Sequence, residues 1–113
     1  MRQVGVLAAA GIISLEQMVN RLADDHAHAR MLADGLRQVG GIVVDEGSPY
    51  SNMVYLNLSD DVSINSKQVG ERMRKVGILV DAENNRRFRL VTHYQIDDDA
   101  VERTIAGFRE ALN

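Results

Sequence analysis

Charged and apolar side chains alternate along residues 86–93, and this alternation restricts the possible folds more than any other part of the sequence. Successive side chains of a β-strand point to opposite faces, so Arg87 and Arg89 would share one face of a strand. Phe88 and Leu90 would share the other face, which helices would have to cover. The segment therefore predicts a half-buried strand that holds Arg89 outward on a rigid element.

Two interpretations of the outward arginines remain open. Arginine is well suited to bind a carboxylate or a phosphate, because its planar guanidinium donates two parallel, charge-assisted hydrogen bonds. An edge strand that is kept soluble by its charges shows the same alternation. The pattern alone favours this second interpretation, so a decision needs the rest of the chain.

The first third of the chain is predicted to be helical. Residues 4–13 are apolar on every side, so they cannot form a free surface helix. Ser14, with Gln17 three residues further on, has the spacing of a capping box and predicts the start of a second helix. Apolar residues then recur at helical spacing as far as Leu36, and the glycines at 40–41 end the helix.

The remaining residues predict short strands and further helices. Strands are predicted at residues 42–45, 53–58, 78–80 and 88–92, and helices from Asn65 or Ser66 to Val76 and from Asp97 to about Leu112. This order predicts an α+β two-layer sandwich, in which helices cover one face of a small, mainly antiparallel sheet after a long N-terminal helical region. We divide the chain into that helical region (residues 1–38) and a small α+β domain (residues 39–113). A ferredoxin-like regulatory module has the same order of elements, but the long helical region argues against it.

The composition excludes several classes of function. The 113 residues fit one domain, and a net charge of −3, without a basic cluster outside residues 86–89, gives no electrostatic case for nucleic acid. Zero cysteines exclude disulfides and thiolate metal sites and fit a cytoplasmic protein. No apolar run approaches the roughly 20 residues that span a bilayer. We expect no signal peptide, because an amphipathic helix directly follows the short apolar opening.

Acidic and histidine side chains offer weak metal sites. Asp24 and His28 lie one helical turn apart. His26, however, falls on the stripe of apolar residues that recur at helical spacing as far as Leu36, and it is expected to be a hydrogen-bonded core histidine. The acidic groups at residues 60–61 and 97–99 lack the spaced ligands and the glycine of a calcium loop. We therefore assign no metal site and no catalytic residue.

Four segments of the chain match family motifs in a fixed order. They are residues 1–11 (MRQVGVLAAAG), 18–26 (MVNRLADDH), 51–54 (SNMV) and 88–93 (FRLVTH). In that order, they resemble the helix after the cofactor lysine, the long helix that follows, the first strand of the small domain and the C-terminal signature of the low-specificity L-threonine aldolases. The resemblance covers nearly the whole chain and implies a pyridoxal-phosphate lyase of the aspartate-aminotransferase-like fold.

The resemblance also implies that this chain is only the C-terminal, small-domain portion of such an enzyme. The N-terminal large domain, with the Schiff-base lysine, would lie before Met1. A Schiff-base lysine needs burial or neighbouring charge, whereas Lys67 and Lys75, the only lysines, are expected to be solvated. We therefore expect no activity from the chain alone. The implied partners are the large domain, further copies of the enzyme and an amino-acid substrate, with neither nucleic acid nor membrane.

The matched positions supply candidate binding residues. In the family, the arginine of the strand motif binds the α-carboxylate of the substrate, and Arg89 occupies that position. Arg2 matches a segment near the cofactor pocket, across a subunit interface. Thr92 and His93 are expected to support the strand end, and Asn52 to make structural hydrogen bonds.

The implied reaction of the intact enzyme is retro-aldol cleavage of threonine or allo-threonine to glycine and acetaldehyde, with pyridoxal phosphate as the electron sink. The alternative is a stand-alone, non-catalytic α+β module for binding or assembly. In either case, the fully apolar segment 4–13 is expected to drive self-association of the isolated chain.

Overall fold

A computed structural model describes residues 3–113, and these residues form four α-helices and four short strands. The helices are α1 (Val4–Ile13), α2 (Leu22–Arg37), α3 (Ser66–Lys75) and α4 (Asp98–Ala111), with a π-helical turn at Ser14–Met18. The strands are β1 (Ile42–Val44), β2 (Met53–Leu58), β3 (Asp81–Ala82) and β4 (Arg87–Val91). The α+β class that the sequence predicts is confirmed.

The strands form one antiparallel sheet in the order β1–β2–β4–β3. The register pairs Val54 with Leu90 and Leu56 with Phe88 across the two central strands, so these four side chains share one face. Apolar side chains of α2, α3 and α4 cover this face and complete the core. Phe88 meets Phe108 of α4 edge to face, with ring centroids 5.4 Å apart. The alternate side chains of the strands lie on the opposite, more exposed face.

Side-chain caps fix the starts of α3 and α4. The Asn65 side chain accepts a hydrogen bond from the Gln68 backbone N–H at 2.9 Å, and the Gln68 side chain accepts one from the Asn65 backbone N–H at 2.9 Å. Asp97 accepts a hydrogen bond from the Ala100 N–H at 2.8 Å. These bonds satisfy donors that the first turn of a helix leaves unpaired. They confirm the predicted starts of both helices.

The predicted helix start at Ser14 is wrong. Ser14 has helical backbone angles (φ −59°, ψ −45°), and its N–H bonds to the carbonyls of Ala10 and Gly11. The preceding apolar run is therefore helical as well, and Ser14 continues that helix rather than starting one. The break comes at residues 19–21, before α2 begins at Leu22.

The apolar stripe of α2 starts later than predicted. Ala29, Leu32 and Leu36 are buried, whereas Leu15 and Leu22 are exposed. α2 packs on β1, β2 and α4, and the domain boundary at residue 38 stays a prediction. Within residues 3–113, no single helix is both long and apolar enough to cross a membrane, and Val4–Met18 and Leu22–Arg37 reach that length and composition only as a pair bent by 68°.

The predicted strand at residues 78–80 is wrong, because strand pairing starts at Asp81. Gly77 follows α3 with a φ of +83°, in a region that favours glycine. The Ile78 N–H then bonds to the Met73 carbonyl at 3.0 Å. The chain thus leaves α3 in a turn and runs beside β4 without pairing until it reaches β3.

Candidate functional site

Arg89 lies in the middle of β4 on the exposed face of the sheet. Its chain neighbours Phe88 and Leu90 are buried on the other face, which confirms the predicted alternation. Tyr55 of β2 and Asp81 of β3 flank Arg89 in the ladder. Within residues 3–113, no hydrogen bond or ion pair engages the Arg89 guanidinium. Its planar group is therefore available to an outside ligand.

The two arginines before it are already engaged. The Arg86 guanidinium donates to the backbone carbonyls of Ser59 (2.5 Å), Val62 (3.0 Å) and Ile64 (3.0 Å). Arg87 donates to both carboxylate oxygens of Asp45, at 2.7 and 3.2 Å, and to Glu83 at 2.9 Å. The Arg87 guanidinium also lies 4.9 Å from the centre of the Tyr55 ring. Hydrogen bonding to Asp45 is the main cause that raises the pKa of Arg87 above its usual value.

A groove of about 360 Å³ opens beside Arg89, where residues 78–80 run beside the last part of β4. Its apolar floor includes Leu32 of α2 and Val101 of α4. Arg89 and His93 contribute polar atoms to its lining. A mostly apolar groove with a few polar groups is the usual form of a small-molecule site.

Hydrogen bonds anchor the end of β4 next to this groove. The buried Thr92 hydroxyl donates to the Asp25 backbone carbonyl of α2 at 2.7 Å. The Asn52 side-chain amide donates to the Thr92 carbonyl at 2.8 Å, and the Thr92 N–H donates to the Asn52 carbonyl at 3.0 Å. These contacts agree with supporting roles for Thr92 and Asn52. His93 is exposed, and its Nδ1 accepts a hydrogen bond from the Gln95 N–H at 3.2 Å.

Nothing in the apolar stripe predicts that Asp25 is buried. Arg21 donates to its two carboxylate oxygens at 3.1 and 3.3 Å, and the four-residue spacing of the pair is the sequence signal for this contact. His26, the predicted core histidine, is only half-buried. Its neighbour His28 makes the long-range contact instead, through Nε2 to Asp98 at 2.9 Å.

The described residues do not fit pyridoxal phosphate by themselves. The cofactor needs a lysine that burial or nearby charge activates, and Lys67 and Lys75 both lie exposed on α3. Neither lysine lines the groove beside Arg89. Arg2, the predicted cofactor contact, lies outside the described residues. Among the residues that are described, no three His, Asp or Glu side chains form a group that could hold a metal ion.

Comparison with known proteins identifies the family. The family model described as beta-eliminating lyase matches residues 1–59, which is more than half of the chain. The chain therefore belongs to the beta-eliminating lyase family. Proteins of this family depend on pyridoxal phosphate in general.

The relatives that the chain resembles include threonine aldolases. It is 34% identical over 112 residues to low-specificity L-threonine aldolase 1 of Arabidopsis thaliana. It is also 34% identical over 112 residues to the low specificity L-threonine aldolase of Escherichia coli strain K12. Each match covers 99% of this chain but 31% of the relative. The chain thus spans about a third of the length of the curated relatives it matches.

A solved structure supports the predicted fold. The aminotransferase TlmJ from Streptoalloteichus hindustanus is similar with a TM-score of 0.62 and 16% sequence identity. The match covers 83% of this chain and 33% of the aminotransferase. At this identity the likeness concerns the fold alone, and it confirms an aminotransferase-type architecture.

Proposed function

We propose that this chain is the C-terminal portion of a pyridoxal-phosphate-dependent L-threonine aldolase, in which Arg89 binds the α-carboxylate of the substrate. The observation that carries the proposal is the unengaged guanidinium of Arg89 beside an apolar groove. The 34% identity to threonine aldolases over nearly the whole chain supports it. The intact enzyme would cleave threonine or allo-threonine to glycine and acetaldehyde.

Arg89 would act by orienting the substrate. Two parallel hydrogen bonds from a planar guanidinium fix both the position and the direction of a carboxylate. The Arg89 backbone is held between β2 and β3, and the flanking Phe88 and Leu90 are buried, so the guanidinium extends from a rigid base. A fixed carboxylate keeps the rest of the substrate in a defined place relative to the reacting groups.

The remaining part of the enzyme would supply the bond-breaking chemistry. Bound pyridoxal phosphate provides an electron sink for carbon–carbon cleavage, and the lysine that binds it would lie in the large domain. Arg2 stays a candidate contact to the cofactor. We expect no lyase activity from the 113-residue chain alone, and we expect the intact enzyme in the cytoplasm.

Substitution of Arg89 in the full-length protein tests the proposal. Arg89→Lys keeps the charge but loses the planar group that donates two parallel hydrogen bonds, so the substrate should bind more weakly and be oriented less well. Removing a charge-assisted hydrogen bond costs about 1.5–3 kcal/mol, which corresponds to a fall of roughly tenfold or more in kcat/KM. Steady-state kinetics with L-threonine measure the effect.

The matched control is Arg87→Lys, because Arg87 lies two residues away on the same strand face but is engaged by Asp45. Its kcat/KM should stay near that of the wild type. Wild-type kinetics in Arg89→Lys, or equal losses in both variants, would contradict the assignment of Arg89.

Oligomer contacts form the second part of the proposal. α1 and the residues after it expose large apolar side chains around the helix, and Val6 is 68% exposed. The exposed side chains on α1 are Val4, Val6, Leu7, Ile12 and Ile13. In the intact enzyme, we expect the large domain and a second subunit to cover them. In the isolated chain, such a patch drives association, and a twofold dimer is the expected product.

Sedimentation of the 113-residue chain at micromolar concentration tests this second part. The wild-type chain should sediment as a dimer or a larger species, whereas the double variant Val6→Asp, Ile13→Asp should sediment as a monomer. A wild-type monomer that behaves like the double variant would contradict the proposal.

The alternative is a stand-alone, non-catalytic module for binding or assembly. The observation that favours it is the core that residues 29–111 build from their own side chains. The reading frame upstream of Met1 separates the two: a continuous frame that encodes a Schiff-base lysine supports the aldolase, and a ribosome start at Met1 supports the module.

A further inference from the structure

The groove beside Arg89 exists because residues 78–80 run next to β4 without pairing with it. In the ladder between β3 and β4, the Arg87 carbonyl accepts a hydrogen bond from the Glu83 N–H at 2.8 Å, and Arg89 is the next residue of β4 that faces β3. The backbone groups of every second residue of β4 thus point to this side. Val91 is the following one, and within residues 3–113 no backbone group pairs with it there.

Residues 78–80 have the composition of a strand. Ile78, Leu79 and Val80 are apolar, and two of them are β-branched. The segment continues directly into β3, and Gly77 supplies a turn at its other end. Continuing the existing antiparallel register by two residues would pair Val80 with Leu90 and then Leu79 with Val91.

This extended pairing would bring Leu79 next to Arg89. Alternate residues of a strand share a face, so Leu79 would lie on the same face as Asp81 and diagonal to Arg89. Leu79 is 76% exposed and Val91 is 44% exposed, and their pairing would remove apolar surface from water. Leu79 would also exclude water from a carboxylate at Arg89, which strengthens the charged hydrogen bonds.

We propose that residues 78–80 form a strap that pairs with the free edge of β4 and closes over a carboxylate ligand bound at Arg89. The ligand rests on the proposed function, whereas the pairing of the strap does not require it. The strap gives the groove an open and a closed arrangement. It makes Leu79 a positioning residue of the substrate site.

Cross-linking in the 113-residue chain tests the pairing without any substrate. The chain contains no cysteine, so the double variant Leu79→Cys, Val91→Cys has no competing thiol. The control is Val80→Cys, Val91→Cys, whose side chains would point to opposite faces of the paired strands. The in-register pair should cross-link roughly tenfold faster under mild oxidation, because its Cα atoms would lie about 5.5 Å apart. Equal rates, or no cross-link in either variant, would overturn the strap.

Measurements on the unmodified chain decide the same point if the cysteine variants do not fold. In the closed arrangement, the Val91 N–H donates to the Leu79 carbonyl, and Val80 lies opposite Leu90. Hydrogen exchange at both Val91 and Leu79 should therefore be slowed relative to Val80, whose N–H would point away from β4, and a nuclear Overhauser contact should join Val80 and Leu90. Unprotected exchange at Val91 together with the absence of that contact would overturn the strap.

Kinetics of the full-length enzyme test the covering role. Leu79→Ala should raise the KM for L-threonine by roughly threefold or more and change kcat less. The substitution removes most of the side chain that would exclude water from the bound carboxylate, and it leaves Arg89 in place. The control is Val76→Ala, an exposed apolar residue after α3 that does not line the groove. A wild-type KM in Leu79→Ala would overturn the covering role. A full-length protein without lyase activity would overturn the proposed function and the covering role, and the cross-linking result would still decide the strap.

Discussion

The arginines at the start of β4 and the arginine in its middle lie in contrasting environments. At its start, Arg86 is held by three backbone carbonyls and Arg87 by two carboxylates and an aromatic ring. Further along the same strand, the Arg89 guanidinium makes no hydrogen bond or ion pair within residues 3–113, and a groove lies beside it. Three arginines in four residues thus divide into two that stabilise the fold and one that is available to a ligand.

This difference shows that a run of arginines in the sequence does not identify a binding residue. The partners of Arg86 and the bidentate partner of Arg87 are distant along the chain, at residues 59–64 and at Asp45, whereas Glu83 lies four residues from Arg87. Arg89 lacks such side-chain partners although Tyr55 and Asp81 lie opposite it in the ladder. The contrast predicts that substitutions at the first two arginines change stability and that substitution at Arg89 changes ligand binding.

The largest effect on stability is expected at Arg86. Arg86→Met removes three hydrogen bonds from a charged donor and leaves the carbonyls of the 59–64 turn without that partner. We expect a loss of about 3 kcal/mol in the free energy of unfolding, since a single hydrogen bond to a charged group contributes about 1.5–3 kcal/mol and water replaces part of the loss. Urea unfolding of the 113-residue chain measures it.

The control is Arg89→Met, which should change the free energy of unfolding by less than about 0.5 kcal/mol, as for other exposed positions without contacts. Equal losses in the two variants would remove the contrast between Arg86 and Arg89.

A smaller effect is expected at Arg87. Its ion pair with Asp45 is bidentate and about three-quarters buried, with 27% and 24% of the two side chains exposed. Exposed pairs contribute up to about 1 kcal/mol, and good bidentate geometry favours the upper part of that range. Arg87→Met should therefore lower the free energy of unfolding by about 1 kcal/mol. If Asp45→Asn lowers the free energy of unfolding as much in the Arg87→Met background as in the wild type, the ion pair does not contribute to stability.

Local signals in the sequence predicted much of the fold. The bounds of β2 follow from alternation, and the starts of α3 and α4 follow from the caps at Asn65 and Asp97. The outward direction of Arg89 follows from the same alternation. These features depend on neighbours along the chain, which is why one sequence is enough to predict them. The binding role of Arg89 stays a prediction.

Contacts between distant residues were not predictable in this way. The bond from Thr92 to the Asp25 carbonyl joins residues 67 positions apart, and the groove forms only when β4, α2 and α4 come together. Local propensity also failed where the surrounding chain opposed it. Ser14 has a capping sequence inside a continuing helix, and residues 78–80 have a strand sequence after a turn.

The smallest expected effect is on the pH dependence of stability, and it arises in the 59–64 turn that Arg86 contacts. The hydrogen bond from the Ser59 hydroxyl, followed by one from its own backbone N–H, holds the pKa of Asp61 below its usual value of 3.8, and the charge of Arg86 adds to this. A carboxyl with a lower pKa in the folded chain stabilises the fold above pH 3.8, and this stabilisation is lost as the pH falls through its folded pKa. Asp61 is exposed, so the change should be slight.

Urea midpoints of the wild type and of Ser59→Ala, compared near neutral pH and below pH 3.8, measure this contribution. Ser59→Ala removes the hydroxyl but keeps the backbone carbonyl that Arg86 binds, so it isolates the carboxyl from the rest of the turn. The difference between the two midpoints should shrink at the lower pH, because a protonated Asp61 no longer accepts the charged hydrogen bond. Arg89→Met should show no such change relative to the wild type, since Arg89 has no acidic partner among residues 3–113. A constant difference for Ser59→Ala would mean that the turn is held by Arg86 alone.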